Sequence, residues 1–296
     1  MSAPEDERFE PWAWVAFALL AAIVCLFLYL GMRPGANAIR AYLFGPPLLG
    51  LAAALVFAFA FALAILRRPM LSRRRVFPFA ALMGVVWLAS FPFPYPSSHE
   101  GHPSAVAFRL PVDGTWRVRW GGDRRETNVL VLSPSRRFGL DLVGPGDREV
   151  LGDVVFAPAP GTVVAVQNDR PDGGLAAGAE PDPFGNHVVL EVAEGEYLVL
   201  GSLQEGSVEV AVGQAVDAGQ PIARVGYSAA SGVTPEPHLM VHLQDAAEPG
   251  RGEGIPMRFH DFSADGTPIP AGVPRGGGDS GQLVQNAASW AAAAGG

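Results

Sequence analysis

The chain has 296 residues, of which 49% are apolar, and a formal net charge of −8 at pH 7. From residue 97 onward it carries 25 acidic residues against 13 arginines, a net charge of about −12. Such an acidic surface repels the phosphate backbone of nucleic acids and no base-reading motif is present, so these features exclude a nucleic-acid-binding protein.

Three apolar segments near the N-terminus predict membrane-spanning helices. They cover residues 11–32, 41–66 and 76–96, and none carries an ionisable charge. Each is close to the roughly 20 residues that a spanning helix needs. Buried helices of a soluble core rarely give three such segments in succession, and the first segment lacks the basic leader of a cleaved signal peptide. We therefore expect residues 1–96 to form a membrane anchor.

The arginines of the connecting segments predict the orientation of this anchor. Five arginines lie in residues 67–75, whereas the preceding connection contains only Arg33 and Arg40. Because cytoplasmic loops are enriched in basic residues, the 67–75 loop is expected inside the cell. The N-terminus is then also inside, and everything after about residue 96 is outside. The spans hold no acid, base or histidine, so no ion path is expected.

The exported half predicts a mostly antiparallel β domain over residues 108–265, joined to the anchor by an extended proline-rich linker, 97–107. Short apolar runs alternate with glycine, proline and aspartate turns, which is typical of antiparallel strands. The first two runs predict a hairpin that turns at Asp113 and Gly114. Further strands are expected at 128–134, 138–144, 154–169, 187–203 and 208–226, and around His238. Residues 266–296 predict a low-complexity tail that is disordered or marginally helical from residue 276.

The segment PHLMVHLQD, residues 237–245, places two histidines four residues apart. Alternate side chains of a strand share a face, so His238, Met240 and His242 are expected to point the same way. A histidine in place of Met240 would make this segment resemble half of a zinc site. Met240 therefore stands where a metal-ligating histidine would be expected.

Five motifs, taken together in this order, resemble peptidase family M23, the zinc endopeptidases of the lysostaphin/LytM type. They are FGLDLVG, VFAPAPGTVVAV, FGNHVVLEV, VAVGQAVDAGQPIARVG and EPHLMVHLQD. The resemblance covers about residues 110–262. It implies an antiparallel β fold of the duplicated-hybrid-motif type and a bacterial family that cuts peptide cross-links in peptidoglycan. Together with the predicted anchor, it implies a protein of the bacterial cytoplasmic membrane.

The resemblance also implies a set of functional positions. A histidine and an aspartate in an H-x-x-x-D run, with the second histidine of an H-x-H pair, hold a catalytic zinc that activates water. The first histidine of that pair and another on a separate strand handle protons. This sequence retains the metal-ligand position Asp141 and the catalytic position His238. The metal-ligand positions Arg137 and Met240 and the catalytic position Ser202 are substituted. If the first ligand came instead from an N-x-H run, its position would be Leu130.

The substitutions predict a protein that does not hold zinc. Arg137 is permanently cationic, so it would oppose zinc and could instead pair with Asp141. The thioether of Met240 suits Cu(I) better than Zn²⁺. We therefore expect no cofactor, and zinc only if the domain is active. The expected role is non-catalytic binding of peptidoglycan, or of a cell-wall hydrolase that it regulates; the alternative is an active zinc endopeptidase with non-standard ligands.

The sequence allows two other interpretations. A relocated metal site could use Asp141, His238 and His242, but the two histidines are about 13 Å apart along a strand that rises roughly 3.3 Å per residue. His187 and His260 are interpreted as structural.

The glycine-turn motifs are also typical of biotinyl or lipoyl carrier domains. The chain contains no lysine to modify, which leaves only a binding-only relative of that class, such as a lipoyl-like adaptor.

Overall fold

The computed structural model describes residues 9–66, 73–173, 182–229 and 236–290. The chain divides into two units, Met1–Ser98 and His99–Gly296. The first unit is helical, and the regular secondary structure of the second is almost entirely β-strand.

The N-terminal unit contains the helices α1 (Pro11–Met32), α2 (Ala36–Leu66) and α3 (Arg73–Ala89). Among the described helices, α1 and α2 are long and apolar enough to cross a membrane. The third predicted span, 76–96, is wrong in its extent, because α3 has 17 residues and ends at Ala89. The sequence FPFPYP follows, and proline removes a backbone donor and restricts the residue before it, so the helix cannot continue.

Small side chains fill the contacts among the three helices. Ala16, Ala53, Ala60 and Ala81 are buried there, together with Ile23. Large apolar side chains such as those of Leu48, Leu55 and Phe59 are exposed on the outside of α2. Small residues between helices and large apolar residues outside are the pattern expected of helices in lipid.

The C-terminal unit contains thirteen strands in its described residues. They are β1 (Trp116–Trp120), β2 (Leu140–Val143), β3 (Val154–Phe156), β4 (Gly161–Gln167), β5 (Asn186–Ala193), β6 (Glu196–Leu203), β7 (Ala215–Val216), β8 (Pro221–Arg224), β9 (His238–Gln244), β10 (Gly254–Ile255), β11 (Phe259–Ala264), β12 (Thr267–Gly272) and β13 (Leu283–Asn286). The main sheet has the order β12-β11-β13-β1-β2-β9-β6-β5-β4-β7, with β10 beside β9. Strands β3 and β8 form a second sheet. Neighbouring strands are antiparallel, as predicted.

Two predicted strands near the start of this unit are wrong. Residues 108–112 do not pair with β1 as a hairpin; the Asn286 side chain binds the carbonyls of Leu110 and Val112, each at 2.9 Å, and β1 pairs with β2 and β13. The predicted strand 128–134 contains a 3₁₀ helix, Val129–Leu132. The Asn128 side chain starts that helix by accepting a hydrogen bond from the Leu130 amide, which competes with strand pairing.

The predicted tail belongs to the sheet. Strands β12 and β13 lie within it, Val284 is buried in the core, and Trp290 is buried beneath the Arg109 guanidinium at 3.8 Å. The prediction of disorder or marginal helix is therefore wrong for residues 276–290. Its physical reason is long-range pairing of β13 with β1 and β11, which local composition does not report. Residues 291–296 lie outside the described residues.

Part of the predicted linker, 97–107, also contacts the β domain. We call residues 99–104 the N-terminal strap. His99 lies 3.0 Å from a carboxylate oxygen of Asp245, and Ser104 donates to Glu196 at 2.5 Å. The strap is thus anchored by polar contacts, which an extended solvated linker would lack.

Strand β9 divides the C-terminal unit into two apolar clusters. Leu239, Val241 and Leu243 belong to the main core. Met240 packs on the other face, in a second cluster with Phe184, Val189 and Val199. The predicted alternation along PHLMVHLQD is therefore present, and it directs Met240 away from the main core.

Candidate functional site

The register of β2, β9 and β6 brings predicted site residues together. Asp141 lies directly opposite Met240 in the β2–β9 pair, and Val143 lies opposite His238. On the other side of β9, Gly201 lies opposite Met240. A Cβ at Gly201 would lie 2.9 Å from the Met240 methyl carbon, so the glycine makes room for the thioether.

Asp141 and His238 form a buried carboxylate–imidazole pair. The His238 Nδ1 atom donates to the carbonyl of Glu236 at 2.7 Å, which directs the Nε2 atom toward Asp141. The Nε2 atom lies 3.7 Å from the Asp141 Oδ1 atom, within ion-pair distance but longer than a hydrogen bond. Both side chains are buried. The two positions that the sequence retains from the family pattern are thus neighbours.

Arg137 lies elsewhere than expected. Its guanidinium pairs with Glu100 of the strap, with the Nη2 atom 2.9 Å from the carboxylate, and lies over the Phe138 ring. The expectation of pairing with Asp141 assumed an extended strand from 137 to 141. Strand β2 begins only at Leu140, and residues 133–139 form successive turns closed by bonds such as that from the Gly139 amide to the Arg136 carbonyl, 2.8 Å. Side chains four residues apart therefore need not share a face there.

Arg136 is the arginine that enters the site. Its Nη1 atom lies 3.8 Å from the Met240 sulfur, and its guanidinium lies 5.6 Å from the centre of the Phe184 ring. The Nε atom is buried without a hydrogen-bond partner among the described residues. Burial lowers the pKa of the Arg136 guanidinium, and the Asp141 carboxylate partly opposes that shift. The sequence analysis missed Arg136, because the family motif falls on Arg137, the next residue in the chain.

His242 is a neutral, buried histidine. Its Nε2 atom donates to the Gln244 Oε1 atom at 3.1 Å, because the Gln244 amide nitrogen is already donating to the carbonyls of Ala246 and Glu248. Burial, with the neighbouring Arg136 guanidinium, lowers the pKa of His242 to about 3. Its Nδ1 atom is buried without a partner among the described residues. Because the His242 ring is held by Gln244, this arrangement does not support the relocated metal site of Asp141, His238 and His242.

His187 and His260 each donate a hydrogen bond to a backbone carbonyl, as expected of structural residues. The His187 Nδ1 atom donates to the Gly185 carbonyl at 2.8 Å, and burial lowers the pKa of that imidazole. The backbone amide of His260 donates to the Phe108 carbonyl at 2.7 Å. Leu130, the other position considered for a first metal ligand, is buried in the 3₁₀ helix.

Ser202 sits in a strained backbone conformation at the end of β6. Its φ is +62°, a region that residues with a Cβ seldom adopt. The backbone is fixed there by a 2.7 Å bond from the Ser202 amide to the Phe184 carbonyl. The hydroxyl is buried without a hydrogen-bond partner among the described residues. Strain and an unsatisfied hydroxyl at one position are features that cluster at functional sites.

The model of peptidase family M23 matches residues 138–251 of the chain. This segment contains β2 to β9 and therefore Asp141, His238 and Met240. Residues 138–251 therefore match an M23 domain.

Solved structures with similarity to the chain include several M23 proteins. The catalytic domain of the prophage-encoded M23 protein EnpA from Enterococcus faecalis is 20% identical, with a TM-score of 0.34, over 52% of this chain and 95% of that one. A zinc-containing peptidase from Vibrio cholerae is 22% identical, with a TM-score of 0.32, over 50% of this chain and 39% of that one. The pore-forming complex of SpoIIQ and SpoIIIAH includes a chain that is 21% identical, with a TM-score of 0.31, over 51% of this chain and 89% of that one. No curated protein matches the chain.

The side chains of this M23 domain do not fit the zinc that the family pattern implies. A catalytic zinc takes three nitrogen, oxygen or thiolate ligands and an open position. Asp141 and His238 offer a carboxylate and an imidazole, but their neighbours are the Met240 thioether and the Arg136 guanidinium. Within the described ranges, no three side chains of histidine, cysteine, aspartate or glutamate come together as a metal-binding group.

Proposed function

We propose that the chain is a membrane-anchored protein whose M23 domain binds peptidoglycan, or a cell-wall hydrolase that it regulates, without cleaving peptide bonds. The observation that carries this proposal is the position of Arg136. Its guanidinium lies against Met240, the residue opposite Asp141, where the family pattern places a metal. A fixed cation there disfavours a second cation and leaves polar groups that can bind a peptide.

The chemistry of the substituted side chains supports a binding role. Peptide hydrolysis by this family depends on a metal that activates water, and a guanidinium cannot do so because it neither coordinates water nor gives up its proton near neutral pH. Ser202 occupies the position of a proton-handling histidine, and a hydroxyl cannot replace imidazole as a base near neutral pH without activation. The site can still donate hydrogen bonds and fix a peptide.

The location at the cell envelope is part of the same proposal. Helices α1 and α2 are long and apolar enough to cross a membrane, and the arginine-rich segment 67–75 is expected on the cytoplasmic side. We place the N-terminus inside the bacterial cytoplasmic membrane and the M23 domain outside it, with α3 as a further span. This arrangement would give the domain direct access to peptidoglycan.

Sedimentation with purified cell-wall sacculi tests the proposal. The full chain in detergent should sediment with the sacculi and release no soluble fragments, with or without a chelator. Heat-denatured protein is the control for non-specific adsorption. Release of fragments that a chelator abolishes would instead support the alternative, an active zinc endopeptidase with non-standard ligands, for which the retained Asp141 and His238 pair is the favourable observation.

A further inference from the structure

We infer that Arg136 is the anchor of a binding site for the terminal carboxylate of a peptide. This inference rests on the proposed binding function and names the class of ligand. The feature that points to it is the half-buried Arg136 guanidinium beside Met240, which lacks a strong acceptor among the described residues. Its one hydrogen-bond contact among the described residues is the Met240 sulfur at 3.8 Å, and its Nε atom has none.

Other arginines of the β domain show what Arg136 lacks. A carboxylate pairs with each of Arg119, Arg137, Arg148 and Arg170. A guanidinium offers five N–H donors in a planar fork, and a thioether is a weak acceptor for one of them. Within the described residues, Arg136 has no ion pair with an acidic side chain. Its half-buried side chain is therefore undersupplied with acceptors, and an oxyanion from outside would complete it.

The charges around Arg136 favour a carboxylate over a phosphate. A carboxylate matches the planar fork with two parallel hydrogen bonds and carries one negative charge. The Asp141 carboxylate is close enough to raise the pKa of Arg136, so a dianion would meet stronger repulsion from Asp141 than a monoanion would. His242 is neutral near pH 7 and supplies no second cation for a dianion.

The neighbouring surface indicates which peptides fit. The Arg136 guanidinium lies beside the Phe184 ring, and Phe184 belongs with Met240 to the second apolar cluster. A carboxylate bound to Arg136 would therefore place the last side chain of its peptide against apolar atoms. The site therefore suits a chain end with an apolar last residue, of which alanine is the simplest probe.

Calorimetry on the full chain in detergent tests this inference with two probes, N-acetyl-Ala-Ala and its C-terminal amide. The free acid should bind at least about tenfold more tightly than the amide, since only the acid forms charge-assisted hydrogen bonds with a guanidinium. The Arg136→Gln variant should lose that preference. The Arg117→Gln variant is the matched control and should keep it, because the half-buried Arg117 instead donates to the carbonyls of Asp279 and Gly281.

Each remaining outcome overturns the inference. Equal binding of acid and amide to the unmodified protein, or no binding of either, overturns it without any variant, so a misfolded Arg136→Gln protein does not leave it untested. Displacement of the acid by inorganic phosphate more readily than by acetate would indicate a general anion site. Sacculi that sediment with the protein while acid and amide bind alike would overturn only the ligand class. Sacculi that fail to bind would overturn the proposed function itself.

Discussion

The Nη1 atom of Arg136 lies 3.8 Å from the sulfur of Met240, and Met240 is the residue directly opposite Asp141 in the neighbouring strand. The M23 domain thus places a guanidinium and a thioether beside a carboxylate that the family pattern assigns to zinc. Arg136 and Met240 act together, because the soft, uncharged sulfur tolerates a neighbouring cation and is a poor ligand for zinc.

Restoring a zinc site should require the removal of Arg136. The Met240→His change alone should give little zinc binding, because the guanidinium would lie near a doubly charged ion in a partly buried site. The double variant Met240→His with Arg136→Ala should bind zinc at least about tenfold more tightly than the Met240→His single variant. Elemental analysis after equilibrium dialysis measures the zinc bound to each. Met240→His with Arg117→Ala is the control. Stoichiometric zinc in the Met240→His protein would show that Arg136 does not oppose the metal.

The backbone at Ser202 should be relieved by glycine. At φ +62° the Cβ of Ser202 costs about 1 kcal/mol, and its buried hydroxyl has no partner among the described residues. Ser202→Gly should therefore raise the free energy of unfolding by about 1 kcal/mol, while Ser202→Ala keeps the strained conformation and should gain less. Urea unfolding in detergent compares the two. If Ser202→Ala stabilises as much as Ser202→Gly, the strain at this position is not what limits stability.

The alternation of β9 could be predicted from sequence, whereas the occupant of the site could not. His238, Met240 and His242 share a face because a strand has a period of two, so local pattern is sufficient. Arg136 enters the site through turns in residues 133–139, and a one-residue difference there selects Arg136 over Arg137. Hydrogen bonds of those turns set that choice, and no periodicity reports them. The pairing of β13 with β1 joins residues more than a hundred positions apart, so local composition could not predict it either.

The strap should depend on the pair of Glu100 and Arg137. The Arg137 side chain is buried and the Glu100 side chain is 43% exposed, so Glu100→Gln leaves a buried cation with a weaker partner. We expect a loss of about 1 kcal/mol of stability and faster hydrogen exchange in residues 99–104. The control is Glu248→Gln, which removes the exposed pair with Arg251 and should cost less than about 0.5 kcal/mol. Unchanged exchange in the strap would show that Glu100 does not hold it.

The orientation of the chain should be visible with reporter fusions. A fusion after residue 70 follows arginines that are expected on the cytoplasmic side, and one after residue 150 lies within the M23 domain. The two should report opposite sides of the membrane, with residue 150 outside. A cytoplasmic signal at residue 150 would remove both the proposed orientation and access to the cell wall.

The stability of the β domain should fall in acid because of His242. Burial lowers the pKa of this imidazole from 6.5 to about 3, so the unfolded chain binds a proton in that pH range and the folded chain does not. Stability is therefore fully present above pH 6.5 and falls by about 1.4 kcal/mol per pH unit between 6.5 and about 3. The half-buried His187, whose pKa is also lowered by burial, acts in the same direction.

Urea unfolding of the full chain in detergent between pH 7 and pH 4, followed by the circular dichroism of the β domain, measures this slope. The His242→Gln variant should lose stability at pH 7, because the contact with Gln244 is altered, but its stability should depend less steeply on pH. The matched control is His102→Gln, because His102 is exposed and its loss should leave the slope unchanged. A His242→Gln protein with the full acid slope would show that burial does not keep the imidazole neutral, and that Arg136 lacks a neutral imidazole beside it.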